Sequence, residues 1–276
     1  MTIRETLRSA SERLELHHVS NASLTAELLL GHALSVSREY LYAHDDRILS
    51  QEELQKLEDL LYDRIGGVPL QYIVGRQEFY GRYFHVNSSV LIPRPETEYI
   101  VEAVLEHKGT SILDVGTGSG CIAVTLALEI PGASVLAADI SEEALRVAKQ
   151  NAASLGAGVD FVCMDVMDAV HTTFDFIVSN PPYVRRNESS YLQREVREHE
   201  PHVALFSPED ELAIYRRLVA GAEAMLKAGG YLMMEIGLGM EEKVLGLFGP
   251  NWEKLPTKTD LQGIPRTIIA KRNPLW

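Results

Sequence analysis

The sequence predicts an α/β protein in which a small N-terminal helical bundle precedes a mostly parallel sheet. Three observations indicate this architecture. Apolar runs of strand length alternate with helical stretches between residues 111 and 236, hydrophobic residues repeat at helical spacing before about residue 75, and residues 77–87 between them alternate with period two. Alternating strands and helices require crossover connections, so the sheet should be Rossmann-like and its ligand should lie at the carboxyl ends of the strands.

Composition indicates an ordinary globular chain with room for one full domain and a smaller one. Of its 276 residues, 46% are hydrophobic and 24% are charged, and the formal net charge is -13. This acidic balance disfavours a partner bound mainly through phosphates, so no direct nucleic-acid binding is expected. A basic protein would be a more suitable partner for so acidic a chain. There is no signal-peptide core at the start and no apolar run of about 20 residues, which predicts a cytoplasmic protein without membrane contact.

The cysteine and histidine spacings predict no metal site. Cys121 and Cys163 each lie inside an apolar stretch and form no C-x-x-C or Cys/His cluster. His199 and His202 are three residues apart but have no further ligands beside them, so we expect them at the surface.

The domain boundaries follow from changes in periodicity. Residues 1–75 should form the helical domain, in which Ser50 and Glu53 make a capping box, and the Gly and Pro residues at 66–69 end the helical pattern. Residues 76–92 should form a β-hairpin linker with its turn at Gly81-Arg82, and residues 93–276 should form the second domain.

A glycine-rich turn follows the first strand of the second domain. The run D-V-G-T-G-S-G at 114–120 lies between the apolar strand 111–113 and the helical stretch 121–128, where backbone can approach a ligand closely. Because position 121 is Cys, the dinucleotide spacing G-x-G-x-x-G fails and G-x-G-x-G remains. A plain strand-to-helix turn is the alternative to nucleotide-like binding.

Polar residues also end the strands that follow. Asp139 ends the strand 134–138, Asp165 follows the strand 159–164, and Asn180 ends the strand 174–179. The Asp139 carboxylate could accept hydrogen bonds from both hydroxyls of a ribose; it could instead only start the next helix, although Ser141 is the better N-cap. Together with the glycine-rich turn, these make four successive polar strand ends, and that coincidence favours a ligand site.

The run Asn180-Pro181-Pro182-Tyr183 forms what we call the Asn180 corner. The two prolines restrict the backbone, and the Asn180 side-chain oxygen and neighbouring carbonyls can accept hydrogen bonds. The Tyr183 ring could stack against a flat group. The group that fits is a planar NH2, and a rigid loop after a core strand is the alternative.

Taken together, these residues resemble the S-adenosylmethionine-dependent methyltransferases that modify amino groups on planar substrates. The runs P-L-Q-Y-I-V-G at 69–75, E-F-Y-G at 78–81, L-I-P-R-P-E-T-E at 91–98 and D-L-Q-G-I-P-R at 260–266 are more specific. With them, nearly the whole chain resembles the HemK-like glutamine methyltransferases. The resemblance implies S-adenosylmethionine as cofactor, peptide chain release factors as partners, and methyl transfer to a Gln in their Gly-Gly-Gln motif. It also implies that the helical domain recognises the substrate.

The resemblance further implies the cofactor-binding residues. Asp165 would accept from the adenine amino group, and Val166, where many relatives have an aromatic residue, would pack on the ring. Asp114 could steer the positively charged sulfonium or hold the glycine-rich loop, and both interpretations stay open. The predicted set is Asp114, Gly116, Thr117, Gly118, Ser119, Gly120, Asp139, Ile140, Asp165, Val166 and Asn180.

Catalytic and substrate-binding residues are predicted around the same corner. Asn180, Pro181 and Tyr183 are the predicted catalytic residues, and the predicted substrate contacts are Asn180, Pro181, Pro182, Tyr183, Arg94, Glu96 and Glu200. Glu96 could instead only compensate a helix dipole. The polar stretch 184–208 is expected to be irregular and to act as a substrate lid, and a long helix over 211–226 should be closed by Gly229-Gly230 before the strand 231–236.

Two other functions compete with release factor methylation. Adenine N6-methyltransferases acting on nucleic acid also contain N-P-P-Y, although the net charge and the helical domain disfavour that activity. A non-catalytic cofactor-binding module is the other alternative, and the intact Asn180 corner argues against it.

Overall fold

The computed structural model describes residues 1–168, 172–207 and 210–274. The helices are α1 Ile3–Leu16, α2 Ala22–Leu34, α3 Arg38–Ala43, α4 Gln51–Gly66, α5 Leu70–Val74, α6 Glu98–Leu105, α7 Cys121–Glu129, α8 Glu142–Leu155, α9 Arg194–His199, α10 His202–Leu205, α11 Ala213–Met225 and α12 Glu241–Leu245. The strands are β1 Arg76–Phe79, β2 Arg82–His85, β3 Ser111–Val115, β4 Ser134–Asp139, β5 Val159–Cys163, β6 Phe174–Ser179, β7 Leu226–Glu235, β8 Trp252–Lys254, β9 Lys258–Thr259 and β10 Pro265–Arg272. Short 3-10 helices span Pro95–Thr97 and Arg186–Tyr191.

The chain divides into two compact units. The helical unit consists of Met1–Arg76 together with Gln193–His199, and the sheet unit consists of the rest of the described chain. Within the helical unit, α9 pairs with the end of α4, because Arg64 forms an ion pair with Glu195 (2.5 Å) and Arg194 donates to the Gly66 carbonyl (3.1 Å). The sequence indicated no reason for α9 to belong there.

The helical unit is held by apolar packing and capped helices. Its buried core includes Leu14, Leu29, Leu30 and Leu57. The predicted capping box of Ser50 and Glu53 is present at the start of α4, so the unpaired N–H groups of that first turn are satisfied locally.

The sheet unit contains one sheet with the strand order β5-β4-β3-β6-β7-β10-β8, and β9 pairs with β10. Strands β3 to β7 run parallel, and β10 is antiparallel to β7. The order reverses at β3, whose neighbours are β4 on one side and β6 on the other. In an open α/β sheet, the crevice at such a reversal is where ligands bind.

Both faces of the sheet are covered by apolar clusters. On one face, Tyr215 and Leu218 of α11 pack with Ile177 and Leu232, and on the other, Val124 of α7 packs against residues of α6 and the sheet. Because both faces are buried, β3 and β6 are continuous apolar runs rather than alternating ones. The predicted mostly parallel α/β sheet is confirmed.

Strand β7 begins earlier than the sequence predicts. We expected the helix to extend to 226 and Gly229-Gly230 to close it, but α11 ends at Met225 and both glycines lie inside β7. Gly230 is needed there because a Cβ at that position would lie 2.9 Å from the carbonyl oxygen of Asp175 on the neighbouring strand. The glycine pair therefore permits close strand pairing and is not a helix stop.

Two smaller predictions are also wrong. The hairpin turn is centred on Tyr80 and Gly81, whose φ angles of 52° and 73° are typical of a type I′ turn, and not on Gly81 and Arg82. The stretch 184–208 is not irregular, since it contains the 3-10 helix Arg186–Tyr191 followed by α9 and α10. Position 208 itself lies outside the described residues.

Among the described residues, no helix is both long enough and apolar enough to cross a bilayer.

Candidate functional site

The glycine-rich loop connects β3 to α7 at the point where the strand order reverses. Gly116, Gly118 and Gly120 all have positive φ, at 75°, 55° and 81°, a conformation that L residues with side chains rarely adopt. The N–H groups of Gly116 and Thr117 both donate to the Ala138 carbonyl at the end of β4, over 2.8 and 2.9 Å. The loop is therefore fixed to the neighbouring strand and leaves its outer backbone open.

Asp114 holds this loop from inside the protein. Its side chain is completely buried, and Oδ2 accepts a hydrogen bond from the Thr117 hydroxyl (2.7 Å). Burial raises the pKa of this carboxyl to about 7, against the smaller lowering effect of the Thr117 hydrogen bond. Of the two interpretations that the sequence left open, this placement favours holding the loop over steering a cationic ligand.

Asp139, at the end of β4, faces the loop across the crevice. One carboxylate oxygen accepts from the Gly118 N–H (2.8 Å) and the other from the Ser141 N–H (2.9 Å). Burial raises the pKa of Asp139, while these backbone hydrogen bonds act in the opposite direction. A carboxylate has about four lone-pair sites, so two remain for a ligand's hydroxyl groups.

The Asp165 carboxylate is already paired. It forms an ion pair with Arg217 of α11 (2.9 Å), and both side chains are about half exposed. A carboxylate shared with Arg is a weaker acceptor for an adenine amino group than the sequence suggested. Val166, the next residue, has a φ of 55°, which is an outlier for a β-branched residue.

The Asn180 corner is held by a chain of buried and partly buried hydrogen bonds, which we call the corner network. Asn180 Nδ2 donates to Thr97 Oγ1 (3.0 Å), Thr97 Oγ1 donates to Glu235 Oε2 (2.6 Å), and Tyr183 Oη donates to Glu235 Oε1 (3.3 Å). Glu235 is the last residue of β7 and is 2% exposed. No hydrogen bond to Asn180 Oδ1 is present among the described residues.

Arg94, Glu96 and Glu200 pair with other protein groups and do not line the crevice. Arg94 pairs with Glu200 (2.5 Å), and the other Glu200 oxygen accepts from the Ile92 N–H (3.2 Å). Glu200 is 3% exposed, so its carboxylate is engaged by protein groups. Glu96 lies 3.9 Å from Arg266. These placements suit holding the wall of the crevice more than direct substrate contact.

A cavity of about 570 Å³ brings most of the predicted residues together. This volume falls within the range of about 300–1,000 Å³ that is usual for ligand pockets. Of the predicted residues, all of which the structure describes, the lining includes Gly116, Thr117, Gly118, Ser119, Asp139, Ile140, Asp165, Val166, Asn180, Pro181 and Pro182, but not Asp114, Gly120, Tyr183, Arg94, Glu96 or Glu200. Further lining comes from Thr97, Arg217 and Phe206.

Tyr183 differs most from its predicted place. Instead of presenting its ring to a flat substrate, it lies beneath the corner, where its hydroxyl reaches Glu235 and its ring lies against Gly237, at which a Cβ would be 3.0 Å from Tyr183 Cδ2. Burial raises the pKa of the phenol, and the neighbouring Glu235 carboxylate raises it further. The side chain supports the corner from below.

The residues that sequence reasoning missed are Thr97, Glu235 and Arg217. Glu235 carried a usable signal, because it is a fifth polar residue at the end of a parallel strand, like the four already noted. Thr97 and Arg217 carried none, since each lies on a helical segment where a polar residue is ordinary. Across the described residues there is no cluster of three or more His, Cys, Asp or Glu side chains suited to a metal ion.

The residues around the cavity are suited to S-adenosylmethionine. A Cβ added at Gly116 or Gly118 would meet nothing within 4 Å, so there is open space directly over the loop backbone. Beside it lie the two Asp139 carboxylate oxygens, which can accept hydrogen bonds from ligand hydroxyl groups, and the lining also contains apolar side chains such as Leu91, Ile140 and Ile214.

Comparison with known proteins identifies the family. The PrmC N-terminal domain matches residues 5–75, and the Methyltransferase small domain matches residues 95–199. A release factor glutamine methyltransferase of Koribacter versatilis is 44% identical, covering 99% of both chains. This chain belongs to the release factor glutamine methyltransferase family. A second member, from Geobacter sulfurreducens, is 42% identical over 97% of this chain and 95% of its own.

A solved methyltransferase structure has a similar fold to this chain. A methyltransferase from Pyrococcus furiosus superimposes with a TM-score of 0.55 over 80% of this chain and 99% of its own, at 18% identity. At that identity the likeness supports the methyltransferase fold alone. The fold predicted from sequence and the predicted family are thus confirmed.

The glycine loop provides a prediction about stability. Gly120→Ala should lower the free energy of unfolding by about 1–2 kcal/mol for the left-handed backbone alone. The loss should be larger in total, because the new Cβ would lie 3.1 Å from that of Ala148 on α8. Urea unfolding measures the change.

Gly118→Ala is the matched control, since φ at Gly118 is also positive but a Cβ there would face open space. This variant should lose less stability and more cofactor affinity than Gly120→Ala. Equal stability losses in the two variants would contradict the close approach to α8.

Proposed function

We propose that this chain transfers a methyl group from S-adenosylmethionine to the side-chain amide nitrogen of a Gln in the Gly-Gly-Gln motif of peptide chain release factors. Two lines support the proposal: the names of its full-length relatives and the geometry of the Asn180 corner. The observation that carries it is the hydrogen bond from Asn180 Nδ2 to Thr97 (3.0 Å), because it leaves the Asn180 side-chain oxygen for a substrate.

The chain's own residues supply positioning. A carboxamide nitrogen is a poor nucleophile because its lone pair is delocalised into the carbonyl, so placement must contribute much of the rate. Asn180 Oδ1 and the Pro181 carbonyl would each accept one N–H of the substrate amide and so fix the nitrogen and its orientation. Correct placement can contribute about 7–11 kcal/mol to lowering a barrier.

The same oxygens would act more strongly as the reaction proceeds. Positive charge develops on the attacking nitrogen, and two fixed acceptors stabilise that charge more than the neutral ground state. Pro181 and Pro182 restrict the backbone at the corner, so little reorganisation is needed. The nitrogen becomes acidic as it is methylated, and its proton can leave to solvent without a dedicated base.

The cofactor would lie over the glycine-rich loop. Asp139 would accept from the ribose hydroxyls, and Ile140 and Val166, which both line the cavity, would contact the adenine. When bound, S-adenosylmethionine supplies an electrophilic methyl group on a positively charged sulfur. The loop glycines would permit close approach of backbone to the amino-acid part.

We also propose a division of labour along the chain. Residues 1–75 would recognise the release factor, residues 76–92 would serve as the linker, and residues 93–276 would carry out methyl transfer in the cytoplasm. The match of residues 5–75 to a domain named for this family supports the first assignment. Hydrogen exchange of the full chain with and without release factor tests it, and protection confined to the sheet unit would contradict it.

Methylation of adenine in nucleic acid is not favoured. The net charge of -13 is unsuited to a phosphate-bound partner, and the full-length relatives are named for release factors.

The direct test is mass spectrometry of purified release factor after incubation with this chain and S-adenosylmethionine. We expect one added methyl group, located by fragmentation on the Gln of the Gly-Gly-Gln motif. A parallel incubation with DNA and RNA should give no transfer. Methylation of nucleic acid with an unchanged release factor would overturn the proposal.

A further inference from the structure

The corner network contains two buried residues, one of which, Glu235, the proposed function does not use. Thr97 and Glu235 are 2% exposed each, and they lie 138 residues apart in the chain. We propose that Glu235 is a positioning residue, an inference that rests on the proposed function. Through the Thr97 hydroxyl, Glu235 determines which end of the Asn180 side-chain amide faces the substrate.

The Thr97 hydroxyl carries a single proton. A hydroxyl donates one hydrogen bond and accepts others. Here Thr97 Oγ1 donates to Glu235 Oε2 (2.6 Å), since an ionised carboxylate can only accept. Toward Asn180, Thr97 must therefore act as the acceptor.

Asn180 is the next residue in the network. Its side-chain amide has a donor end and an acceptor end of nearly equal size. Because Thr97 accepts, Asn180 turns its Nδ2 toward Thr97 (3.0 Å) and its Oδ1 is left over. With the amide reversed, an NH2 group would face the NH2 of the substrate, and two donors cannot bond each other.

Glu235 is itself held in place by two tyrosines. Tyr183 donates to its second oxygen (3.3 Å), and Tyr215 of α11 donates to its backbone carbonyl (3.0 Å). While Glu235 is ionised, both of its oxygens accept hydrogen bonds, and no donor remains in the network that could reverse its polarity.

Substituting Asn180 and Glu235 together should restore the corner network with every donor and acceptor along Asn180, Thr97 and Glu235 exchanged. In Asn180→Asp, the new carboxylate cannot donate to Thr97, so two acceptors meet. Adding Glu235→Gln supplies the missing donor: the Gln amide donates to Thr97, Thr97 donates to the Asp, and Tyr183 still donates to the Gln oxygen. The Asp retains one oxygen for the substrate.

The experiment measures methyl transfer to release factor for N180D, E235Q and the double variant N180D/E235Q. Leaving a buried polar group unpaired typically costs a factor of about 10 to 100, so each single variant should lose at least about tenfold in turnover. The double variant should be at least about tenfold faster than N180D. A double variant no faster than N180D would overturn the proposal.

Matched variants separate positioning from general disruption. N180D combined with Glu253→Gln, an exposed carboxylate on β8, should behave like N180D alone. Thr97→Ser keeps the hydroxyl and should remain close to wild type, whereas Thr97→Val should lose turnover with nearly unchanged cofactor affinity. Equal activity of the Ser and Val variants would contradict a role for the hydroxyl.

A pH profile gives a second readout. Burial raises the pKa of Glu235 to about 7, against the lowering effects of its hydrogen bonds from Thr97 and Tyr183. Protonation gives the carboxyl a hydrogen to donate and so permits the reversed network, and turnover should therefore fall as the pH drops through about 7. This acidic limb should be weaker in E235Q, in which buried Asp114, whose pKa is also raised to about 7, is left to titrate in that range. The titratable and charged groups that interact with Glu235 are Glu96, Tyr183, Arg266, Cys121 of α7, and Tyr215, whose hydroxyl also donates to the Glu235 backbone carbonyl.

Unfolding in urea tests the same polarity without any substrate. The midpoint of N180D/E235Q should lie above that of N180D, because the double variant satisfies the buried groups again; a midpoint at or below it would contradict the inference. If wild-type protein fails to methylate release factor, the proposed function fails, and this comparison still decides the role of Glu235.

Discussion

Asn180→Ala should lower turnover by about 10²- to 10³-fold, the size of effect seen when one preorganised hydrogen-bonding group is removed from an active site. The substitution removes the side-chain oxygen offered to the substrate amide and leaves the prolines of the corner in place. Affinity for S-adenosylmethionine should stay nearly unchanged, because the glycine loop and Asp139 are untouched. Single-turnover kinetics with release factor, together with calorimetry of cofactor binding, measure the two effects separately.

A matched control for this variant is Asn251→Ala. Asn251 bonds Glu223 (2.6 Å) at the far edge of the sheet unit, next to β8, so its loss should leave turnover intact. If Asn180→Ala turned over as fast as wild type, Asn180 would have no catalytic role. If it lost cofactor affinity to the same extent as turnover, Asn180 would act chiefly in cofactor binding.

Asp139→Ala should greatly weaken the binding of S-adenosylmethionine. Hydrogen bonds to a charged group typically contribute about 1.5–3 kcal/mol each, so losing two ribose contacts should weaken cofactor binding by at least about 100-fold. Asp139 also accepts from Gly118 and Ser141, over 2.8 and 2.9 Å, so the loop should lose order as well. Isothermal titration calorimetry with S-adenosylmethionine measures the change in the dissociation constant.

Two further variants make this result specific. Asp160→Ala, an exposed position on the adjacent strand β5, removes the same group outside the crevice and should bind cofactor normally. Asp139→Asn keeps one acceptor oxygen and should fall between wild type and Asp139→Ala. Unchanged affinity in Asp139→Ala would remove this residue from the ribose site.

Local patterns predicted the sheet and the floor of the cavity. Helix α8, Glu142–Leu155, begins after Ser141, the N-cap that the sequence indicates, because the cap and the acidic first turn are local signals. Asp139 and Asn180 both line one cavity because parallel strands bring their carboxyl ends to the same edge. That rule needs only the order of strands and helices.

Contacts between distant segments could not be predicted in the same way. The Arg94–Glu200 pair joins residues 106 apart, and Asn180 meets Thr97 across 83 residues. A hydrogen-bond partner of that kind depends on packing, which periodicity does not encode. The sequence predicts substrate contact for Tyr183 for the same reason, because its sequence neighbours give no sign of the buried Glu235 that its hydroxyl contacts.

The pair Gly229-Gly230 shows a different limit of prediction from sequence. Adjacent glycines after a helical stretch indicate a helix end, yet here α11 ends at Met225 and the pair lies within β7. The cause is the close approach of Gly230 to the Asp175 carbonyl, which involves a strand about fifty residues earlier. Sequence alone does not distinguish a glycine kept for its backbone freedom from one kept for its lack of a side chain.

The central claim is that Asn180 Oδ1 and the Pro181 carbonyl together hold a substrate carboxamide. A crystal structure of this chain with S-adenosylhomocysteine and a peptide containing Gly-Gly-Gln tests it most directly. We predict that the peptide Gln Nε2 lies within about 3.2 Å of both oxygens, with Asn180 Nδ2 still bonded to Thr97. A peptide amide bound elsewhere, or an Asn180 side chain whose NH2 faces the peptide, would contradict it.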